Sequence, residues 1–203
     1  GSKKNLSLSI RKIKFIKADI RDLNKLKKIS QLKDVDWIFH LAGLADIVPS
    51  IKNPVDYLNT NLSGTQNILE IFREKKIKKF IYAASASCYG IPEKFPTNEI
   101  SKIDPKYPYA LSKYLGEELV MSWAKIYKMP NISMRFFNVY GQRSRTTGAY
   151  GAVFGVFLAQ KFHDVPLTIV GDGNQTRDFI HVDDLTDALI KAAARKYKNR
   201  IYN

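Results

Sequence analysis

The stretch Asp36-Trp-Ile-Phe-His-Leu-Ala-Gly43 decides the fold, because it is a compact apolar run that stops at a glycine. Such a run is typical of a strand buried on both faces of a parallel sheet. Residues 54–72 then place apolar side chains at steps of three and four, which predicts a helix, and residues 80–84 form a second strand-like run. Strand, helix and strand in this order predict a parallel sheet covered by helices.

The same alternation extends outward from this unit in both directions. On the N-terminal side the sequence predicts a strand at 13–20 and a helix at 22–32. On the C-terminal side it predicts a loop at 86–107, a helix at 109–127 and a strand at 132–138. We therefore predict an α/β fold built on a doubly wound, Rossmann-like parallel sheet.

Beyond Gly141 the composition changes to a polar, glycine-rich segment. An apolar helix is predicted at 152–162, a short strand at 167–170 and a Gly-Asp-Gly turn at 171–173. This part has the character of a smaller region that covers a ligand.

We expect two parts: residues 3–145 as the remainder of a dinucleotide-binding domain, and residues 146–203 as a partial substrate-binding region. Within the second part, residues 178–203 are expected to return to the first domain. The sequence contains no strand followed by Gly-x-x-Gly-x-x-Gly, the loop that carries a dinucleotide pyrophosphate. Both ends look cut, so we expect an N-terminally truncated form that binds a dinucleotide poorly and is inactive alone.

Composition excludes several classes of protein. The 203 residues are 45% apolar, enough for one core, and no apolar run is long enough for a membrane span or a secretion signal. A single cysteine, Cys88, excludes an internal disulfide framework, and three scattered histidines offer no metal spacing. We expect a cytoplasmic protein with neither a membrane partner nor a metal.

The formal net charge of +14 is the one compositional outlier. Such an excess would help to bind nucleic acid or phosphorylated ligands. The lysines are spread over segments that resemble solvated helix faces, and the densest run, Lys75–Lys79, lies where a helix should end. We therefore favour a surface bias and expect no nucleic-acid partner.

Ligands of such sheets bind at the carboxyl ends of the strands. The residues that directly follow the predicted strands are Asp19, Gly43, Ser85 and Asn138. These positions are the first candidates for a site.

The spacing Tyr109-x-x-x-Lys113 is weak evidence alone, since about one such match arises by chance in a chain this rich in lysine. Four residues make one helical turn, which places phenol and ammonium on one helix face. To act as a base near neutrality, a tyrosine needs its pKa lowered from about 10, a change of about 4 kcal/mol. The Lys113 ammonium and the positive charge of a bound ligand would lower it. The alternative is two exposed side chains on an ordinary helix.

Seven motifs occur in a fixed order. They are Asp19-Ile20, His40-Leu-Ala-Gly43, Asn61-x-x-Gly64-Thr65, Ser85-Ala-Ser-Cys-Tyr-Gly90, Tyr109-x-x-x-Lys113, Arg135-Phe-Phe-Asn-Val-Tyr-Gly141 and Gly171-Asp-Gly-Asn-Gln-Thr-Arg-Asp-Phe-Ile-His-Val182. With this set, from about residue 13 to 203, the chain resembles the extended short-chain dehydrogenase/reductase family, and most of all its UDP-glucose 4-epimerase-like members.

The resemblance implies NAD as cofactor and a set of residues that bind it. These are Asp19, Ile20, Leu41, Ala42, Gly43, Asn61, Tyr109, Lys113 and Phe136. Asp19 would accept from the adenine amino group, while Gly43 would let the cofactor approach the backbone. Three alternatives stay open: Asp19 as a helix cap, Gly43 in a tight turn and Asn61 on a polar helix face.

The resemblance also implies the catalytic residues Ser85, Tyr109 and Lys113. Nucleotide-sugar substrate would be bound by Ser85, Ala86, Ser87, Asn138, Leu167, Thr168, Ile169 and Arg177. Arg177 would offer its fork to the diphosphate. Its alternative is a surface ion pair with Asp178 or Asp183, and strand packing explains residues 167–169 equally well.

Positions 86 and 87 separate reactions within the family, since dehydratases and decarboxylases carry carboxylic acids there. Ala86 and Ser87 cannot protonate a leaving hydroxyl, which favours a 4-epimerase acting on UDP-glucose or UDP-N-acetylglucosamine through a 4-keto sugar. Ala45 replaces a lysine common in such epimerases, so the sugar stays open. A homodimer through the helices of Asn61 and Tyr109 is implied. The alternatives are another nucleotide-sugar oxidoreductase, dehydratase or decarboxylase, and a non-catalytic nucleotide-binding module.

Overall fold

The computed structural model describes residues 3–29, 32, 34–144, 153–169 and 171–203. Its main sheet has four parallel strands in the order β1-β2-β3-β6. The strands are β1 (Trp37–His40), β2 (Lys79–Ser85), β3 (Asn131–Phe136) and β6 (Arg200–Tyr202). A second sheet pairs β4 (Asn138–Tyr140) with β5 (Phe179–His181), also in parallel. The predicted α/β fold with a parallel sheet is confirmed.

Seven α-helices cover or flank these strands among the described residues. They are α1 (Leu23–Lys27), α2 (Ile47–Lys52), α3 (Pro54–Leu58), α4 (Gly64–Phe72), α5 (Pro108–Ile126), α6 (Val153–Phe162) and α7 (Val182–Ala194). A π-helical turn, Asn59–Ser63, joins α3 to α4, so the predicted helix at 54–72 is confirmed as one continuous rod with a widened turn. None of these helices is long and apolar enough to cross a membrane.

The core lies on both faces of β2. Phe80 and Tyr82 point to one face and pack with Leu69 of α4 and Val120 of α5, while Ile81 points to the other. This alternation follows from the two-residue period of a strand. Each large apolar side chain buried in this way stabilises the fold by about 1.5–3 kcal/mol. On the opposite face the packing partners are Ile132, Met134, Leu185 and Leu189.

Two predictions near the N-terminus need correction. Residues 14–19 form no strand, because no described strand offers them a ladder partner. Ile20 instead lies against Gly64, and the Asn67 side chain donates to the carbonyls of Ile20 and Arg21. The predicted helix at 22–32 exists but is shorter, since α1 ends at Lys27.

Two predictions in the second half also need correction, and one helix of the first half was missed. The predicted strand at 132–138 divides, with β3 ending at Phe136 and β4 starting at Asn138 in another sheet. Residues 167–169 form no strand, because Thr168 bonds to the Gln160 side chain, and Val170 lies outside the described residues. Helix α2 was not predicted at all.

The boundary predicted at 145/146 and the helix start predicted at 152 lie outside the described residues. Helix α7 packs under the main sheet, and β6 pairs with β3 through Ile132↔Arg200 and Met134↔Tyr202. The division into two domains stays a prediction.

Candidate active site

Ser85 lies at the carboxyl end of β2, where the chain leaves the sheet in a 3-10 turn, Ala86–Tyr89. Its buried hydroxyl caps that turn by accepting from the Ser87 amide at 3.2 Å. The two serine hydroxyls lie 2.8 Å apart. Residues 85–87 therefore present a pair of hydroxyl groups, with the Ala86 methyl between them.

Tyr109 begins α5, which starts after a proline whose fixed φ suits the first helical position. The Ser85 and Ser87 side chains lie close enough to its phenol to lower the pKa of Tyr109, and its ring meets Tyr57 edge-on at 6.3 Å between centroids. Asp46 is the nearby carboxylate. The structure thus brings together the predicted serine and tyrosine.

Burial raises the pKa of Tyr109 above its ordinary value, and the hydrogen bond with Ser85 opposes that rise. Asp46 and Tyr57 raise the pKa further, while Ser87 lowers it. The prediction that the Lys113 ammonium and a cationic nicotinamide ring lower this pKa concerns the enzyme with its cofactor and stays a prediction. In the chain by itself, loss of hydration around the phenol dominates.

Lys113 lies one turn further along α5 and is buried. Its Nζ sits 4.4 Å from the ring centroid of Tyr82 and 3.9 Å from the point where a Cβ on Gly43 would lie. Burial lowers its pKa to about 8, and Glu117 opposes this. The positive charge of Lys113 therefore lies beside the loop that follows β1.

Asn61 fixes that loop. Its amide donates to the Leu44 carbonyl at 2.9 Å and to Ser112 Oγ at 2.9 Å, and its Oδ1 accepts from the Leu44 amide at 2.8 Å. A Cβ on Gly43 would lie 2.8 Å from Asn61 Oδ1, so a side chain there would break the clamp. Asn61 is buried, which excludes a polar helix face. Leu41 and Ala42, on the same loop, are exposed.

His40 closes β1 beneath this loop. Its Nε2 lies 2.9 Å from Thr65 Oγ1, and Thr65 donates to the Asn61 carbonyl at 2.6 Å. Burial, aided by the Lys113 charge, lowers the pKa of His40 to about 3, so the ring is neutral at pH 7. We regard this histidine as a packing residue that supports Asn61.

The residues predicted to hold adenine lie away from this group in contacts of their own. Arg21 donates to the exposed Asp19 carboxylate through its backbone amide, Nε and Nη2, and these hydrogen bonds lower the pKa of Asp19 to about 2. Asp22, not Asp19, caps α1, so the capping alternative for Asp19 is wrong. Phe136 ends β3 beside Ser85 in the sheet register.

The predicted substrate residues of the second half lie at the surface or between β4 and β5. Asn138 donates to the Asp178 carbonyl at 2.9 Å. Arg177 donates to the Thr176 carbonyl at 2.7 Å and makes no ion pair with Asp178 or Asp183 among the described residues. Leu167, Thr168 and Ile169 are exposed. No contact joins this set to Ser85 or Tyr109 in the described part of the chain.

The sequence did not predict a buried ion pair that lies behind the site. Arg135 donates from Nε and Nη2 to Glu117, and from Nη1 to the Tyr89 hydroxyl at 2.6 Å. Burial opposes its charge, but the bonds to Glu117 and Tyr89 outweigh this and raise the pKa of Arg135. The spacing of the sequence does indicate that Glu117 lies near the site, because it follows Tyr109 and Lys113 at steps of four and the three share a helix face.

A parallel Rossmann-like sheet with serine, tyrosine and lysine gathered at its carboxyl end defines a protein of the extended short-chain dehydrogenase/reductase type. The model of the NAD dependent epimerase/dehydratase family matches residues 1–203, and the chain belongs to that family.

The chain is 38% identical, over all of its length, to a protein of Methanocaldococcus jannaschii provisionally named a UDP-glucose 4-epimerase, of which it covers 65%. A solved UDP-glucuronic acid 4-epimerase of Bacillus cereus, in complex with UDP-glucuronic acid and NAD, shares 33% identity over 98% of this chain and 61% of its own, with a TM-score of 0.84.

A UDP-N-acetylglucosamine 4-epimerase of Methanobrevibacter ruminantium, solved with UDP-N-acetylmuramic acid, is similar to the same extent. It shares 32% identity over 92% of this chain and 59% of its own, with a TM-score of 0.84. The chain thus spans about three fifths of the length of the relatives that it matches.

Proposed function

We propose that the protein containing this chain is an NAD-dependent nucleotide-sugar 4-epimerase that acts on a UDP-hexose. The observation that carries the proposal is the group of hydroxyls at the end of β2: Ser85 Oγ and Ser87 Oγ lie 2.8 Å apart, and both lower the pKa of the nearby Tyr109 phenol. The residue between the two serines is Ala86. A proton can be exchanged at this point, but the segment supplies no carboxylic acid to expel water.

In the reaction, Tyr109 takes the proton of the C4 hydroxyl, and Ser85 hydrogen-bonds to the same oxygen as it becomes a carbonyl. NAD, when bound, supplies the acceptor and later the donor of the C4 hydride. After the 4-keto sugar has turned, Tyr109 would give the proton back to the C4 oxygen, with Ser85 still hydrogen-bonded to it. Atoms and electrons balance without a further reactant.

This role requires the pKa of Tyr109 to be lower in the loaded enzyme than in the chain alone, where burial raises it. Opposite charge near a phenol has this effect. The pH dependence of kcat in the full-length protein measures the requirement, because the limb that belongs to Tyr109 should lie near neutral pH.

The residues present fit the proposed cofactor in part. The buried Lys113 ammonium beside Gly43 has the position and charge to donate to ribose hydroxyls. Leu41, Ala42 and Asn61 shape the same loop. Asp19 would have to exchange its hydrogen bonds with Arg21 for the adenine amino group, while Ile20 and Phe136 would supply apolar contacts.

Substrate contacts are proposed for Ser85, Ser87 and Asn138 near the reacting sugar and the diphosphate. Arg177 is exposed two residues before β5 and would reach the diphosphate, and residues 167–169 would flank the base. The similar proteins are named for UDP-glucose, UDP-N-acetylglucosamine and UDP-glucuronic acid, so these three are the substrates to test first.

Product analysis of the full-length protein tests the proposal. Incubation with NAD and each of the three UDP-sugars should yield the matching C4 epimer without net reduction of NAD. Loss of water or of carbon dioxide would instead identify a dehydratase or decarboxylase, and a net redox change would identify another oxidoreductase. Binding without any turnover would favour the non-catalytic module.

We also propose a homodimer that pairs the faces of α2, α3 and α5. Val48, Ile51, Val55 and Leu111 expose apolar side chains on these helices, and a repeated apolar face of this kind marks an interface. Val55→Asp with Leu111→Asp should give monomers in sedimentation velocity experiments. Ile190→Asp, an equally apolar exposed position on α7, should leave the dimer intact.

The cytoplasm is the proposed compartment. Cys88 is a free, buried thiol, and burial raises its pKa to about 11, which keeps it protonated and unreactive. A reducing compartment suits such a residue. Cell fractionation with an antibody to the full-length protein checks this placement.

A further inference from the structure

The buried ion pair behind the active site is built from two elements that both reach the catalytic residues. Glu117 lies two turns after Tyr109 on α5, and Arg135 lies on β3 beside Ala84 of β2. The side chains of Glu117 and Arg135 are only 1% and 3% exposed. Both charges are therefore withdrawn from water, which is unfavourable unless their hydrogen bonds are complete.

Those bonds are nearly complete on the Glu117 side. Arg135 Nε lies 3.0 and 3.1 Å from the two carboxylate oxygens, and Nη2 lies 2.5 Å from Oε1. Ser133 Oγ donates to Oε2 at 2.7 Å. The guanidinium is thereby fixed in orientation, as expected for a forked pair.

The other edge of the guanidinium points out of the core into the long loop. Arg135 Nη1 donates to the Tyr89 hydroxyl at 2.6 Å and to the Glu99 carbonyl at 3.0 Å. Tyr89 is the last residue of the 3-10 turn that begins at Ser85, and Glu99 lies in the stretch that leads on to Tyr109. One buried cation thus holds both parts of the loop between the two catalytic residues.

Asn203 holds the same loop from the end of β6. Its Oδ1 accepts from the Tyr89 hydroxyl at 2.7 Å, its amide donates to Glu99 Oε1 at 2.9 Å, and its Nδ2 donates to the Thr97 carbonyl at 2.9 Å. The Tyr89 hydroxyl is therefore a junction between the core ion pair and the sheet edge.

We propose that Glu117, Arg135 and Tyr89 are positioning residues that hold the turn Ala86–Tyr89 so that the Ser85 and Ser87 hydroxyls meet the Tyr109 phenol. This inference deepens the proposed function and rests on it for its catalytic meaning. An ion pair that served packing alone would not need a third partner in the loop, since apolar residues often replace buried pairs without loss of stability.

The test removes the single oxygen at the junction. Tyr89→Phe keeps the ring, and Arg135 Nη1 keeps the Glu99 carbonyl. Tyr127→Phe is the matched control, because it is the same chemical change on a half-exposed ring at the other end of α5. In the chain itself, the titration of Tyr109 is followed by NMR of tyrosine labelled with carbon-13 at Cζ and assigned with Tyr109→Phe.

We expect Tyr89→Phe to raise the Tyr109 pKa by about half a unit or more, because the serine hydrogen bonds that lower it are loosened. Tyr127→Phe should leave it unchanged. In the full-length protein, Tyr89→Phe should lower kcat roughly tenfold, with KM within about twofold, as expected when the Tyr89 hydroxyl loses its hydrogen bonds with both Arg135 and Asn203.

An unchanged Tyr109 pKa in a folded Tyr89→Phe chain would overturn the positioning role, even if melting temperature falls. Should that variant not fold, Asn203→Ala removes the other hydrogen bond of the Tyr89 hydroxyl from an exposed residue, and its Tyr109 pKa must rise as well for the inference to stand. The titration needs no turnover, so failure of the 4-epimerase proposal would show as absent product while the pKa shift persisted.

Discussion

Charged side chains are buried and paired at one end of the main sheet, and they line an open cavity at the other. At the carboxyl end, Lys113, Glu117 and Arg135 are buried, and Glu117 and Arg135 make a paired, hydrogen-bonded group. At the amino end an open cavity of about 670 Å³ is lined by cations and by no carboxylate. Its basic residues are Arg73, Lys75, Lys76, Lys78, Lys79, Lys128, Arg195, Lys196 and Lys198.

The difference shows that a cavity and the candidate catalytic residues can lie at opposite ends of the same sheet. The cavity of about 670 Å³ lies at the lysine end, yet the convergent polar side chains that a reaction needs lie at the other end, around Ser85 and Tyr109. Parallel strands also explain the cluster, because the loops that enter β2, β3 and β6 all meet at one edge. Lysines that are spread through the sequence are thereby gathered in space.

The largest expected effect comes from breaking the ion pair at the carboxyl end. Arg135→Met leaves Glu117 as a buried, unpaired charge and should lower the free energy of unfolding by about 3–5 kcal/mol. Arg73→Met is the matched change at the amino end, where Arg73 pairs with the more exposed Glu70 and Glu74. It should cost below about 1 kcal/mol. Urea unfolding measures the decrease in the free energy of unfolding for both variants. Equal decreases would contradict the proposed difference between the two ends of the sheet.

The next effect concerns the one buried lysine at the amino end. Lys79 donates to the carbonyls of Arg195 and Tyr197, and burial, with Lys198 nearby, lowers its pKa. Lys79→Met leaves both carbonyls unpaired and should cost about 1–3 kcal/mol in urea unfolding. Its exposed neighbour gives the control, since Lys78→Met should cost below about 1 kcal/mol. A loss for Lys79→Met as small as that of the control would show that the amino end is held by surface contacts alone.

Acid should weaken the carboxyl end through His40. Its pKa is about 3 in the folded chain, below the ordinary value of 6.5, so the unfolded chain binds more protons between those values. Stability is therefore fully present above about pH 6.5 and falls as pH drops, by at most about 1.4 kcal/mol per pH unit. Urea unfolding at pH 7 and pH 5 should show this slope, and His40→Gln should reduce it. His163→Gln is the control at an exposed histidine and should leave the slope unchanged. If the slope also persists in His40→Gln, groups other than His40 cause the pH dependence of the free energy of unfolding.

The smallest effect is expected from the lysine cavity itself. Gln in place of Lys76, Lys196 and Lys198 together removes three positive charges far from Tyr109. Turnover of the full-length protein should stay within about twofold and stability within about 1 kcal/mol, because exposed like charges contribute little. A tenfold loss of turnover would move part of the function to the amino end.

The sequence was sufficient for the elements whose pattern is local. The apolar run of β2 and the proline and periodicity of α5 fix the places of Ser85 and Tyr109 within a residue or two. The strand predicted at 13–20 failed because a strand needs a partner, which the local pattern cannot show.

The features of the site that the sequence did not predict depend on contacts between residues that are far apart along the chain. The raised pKa of Tyr109 in the chain alone could not be read from the sequence, since the burial that raises it comes from packing against other elements. The bond from Arg135 to Tyr89 joins residues 46 positions apart and depends on strand register. The lysine cavity likewise follows from topology, not from any one run.

Turnover of Tyr109→Phe in the full-length protein tests the central claim most directly, that the chemistry lies at the carboxyl end. With a UDP-hexose and NAD, the variant should epimerise at least about a hundredfold more slowly than the wild type, a barrier increase of about 2.7 kcal/mol or more. Tyr127→Phe, at the amino end, should keep wild-type turnover. A Tyr109→Phe enzyme that turns over at the normal rate would contradict the account.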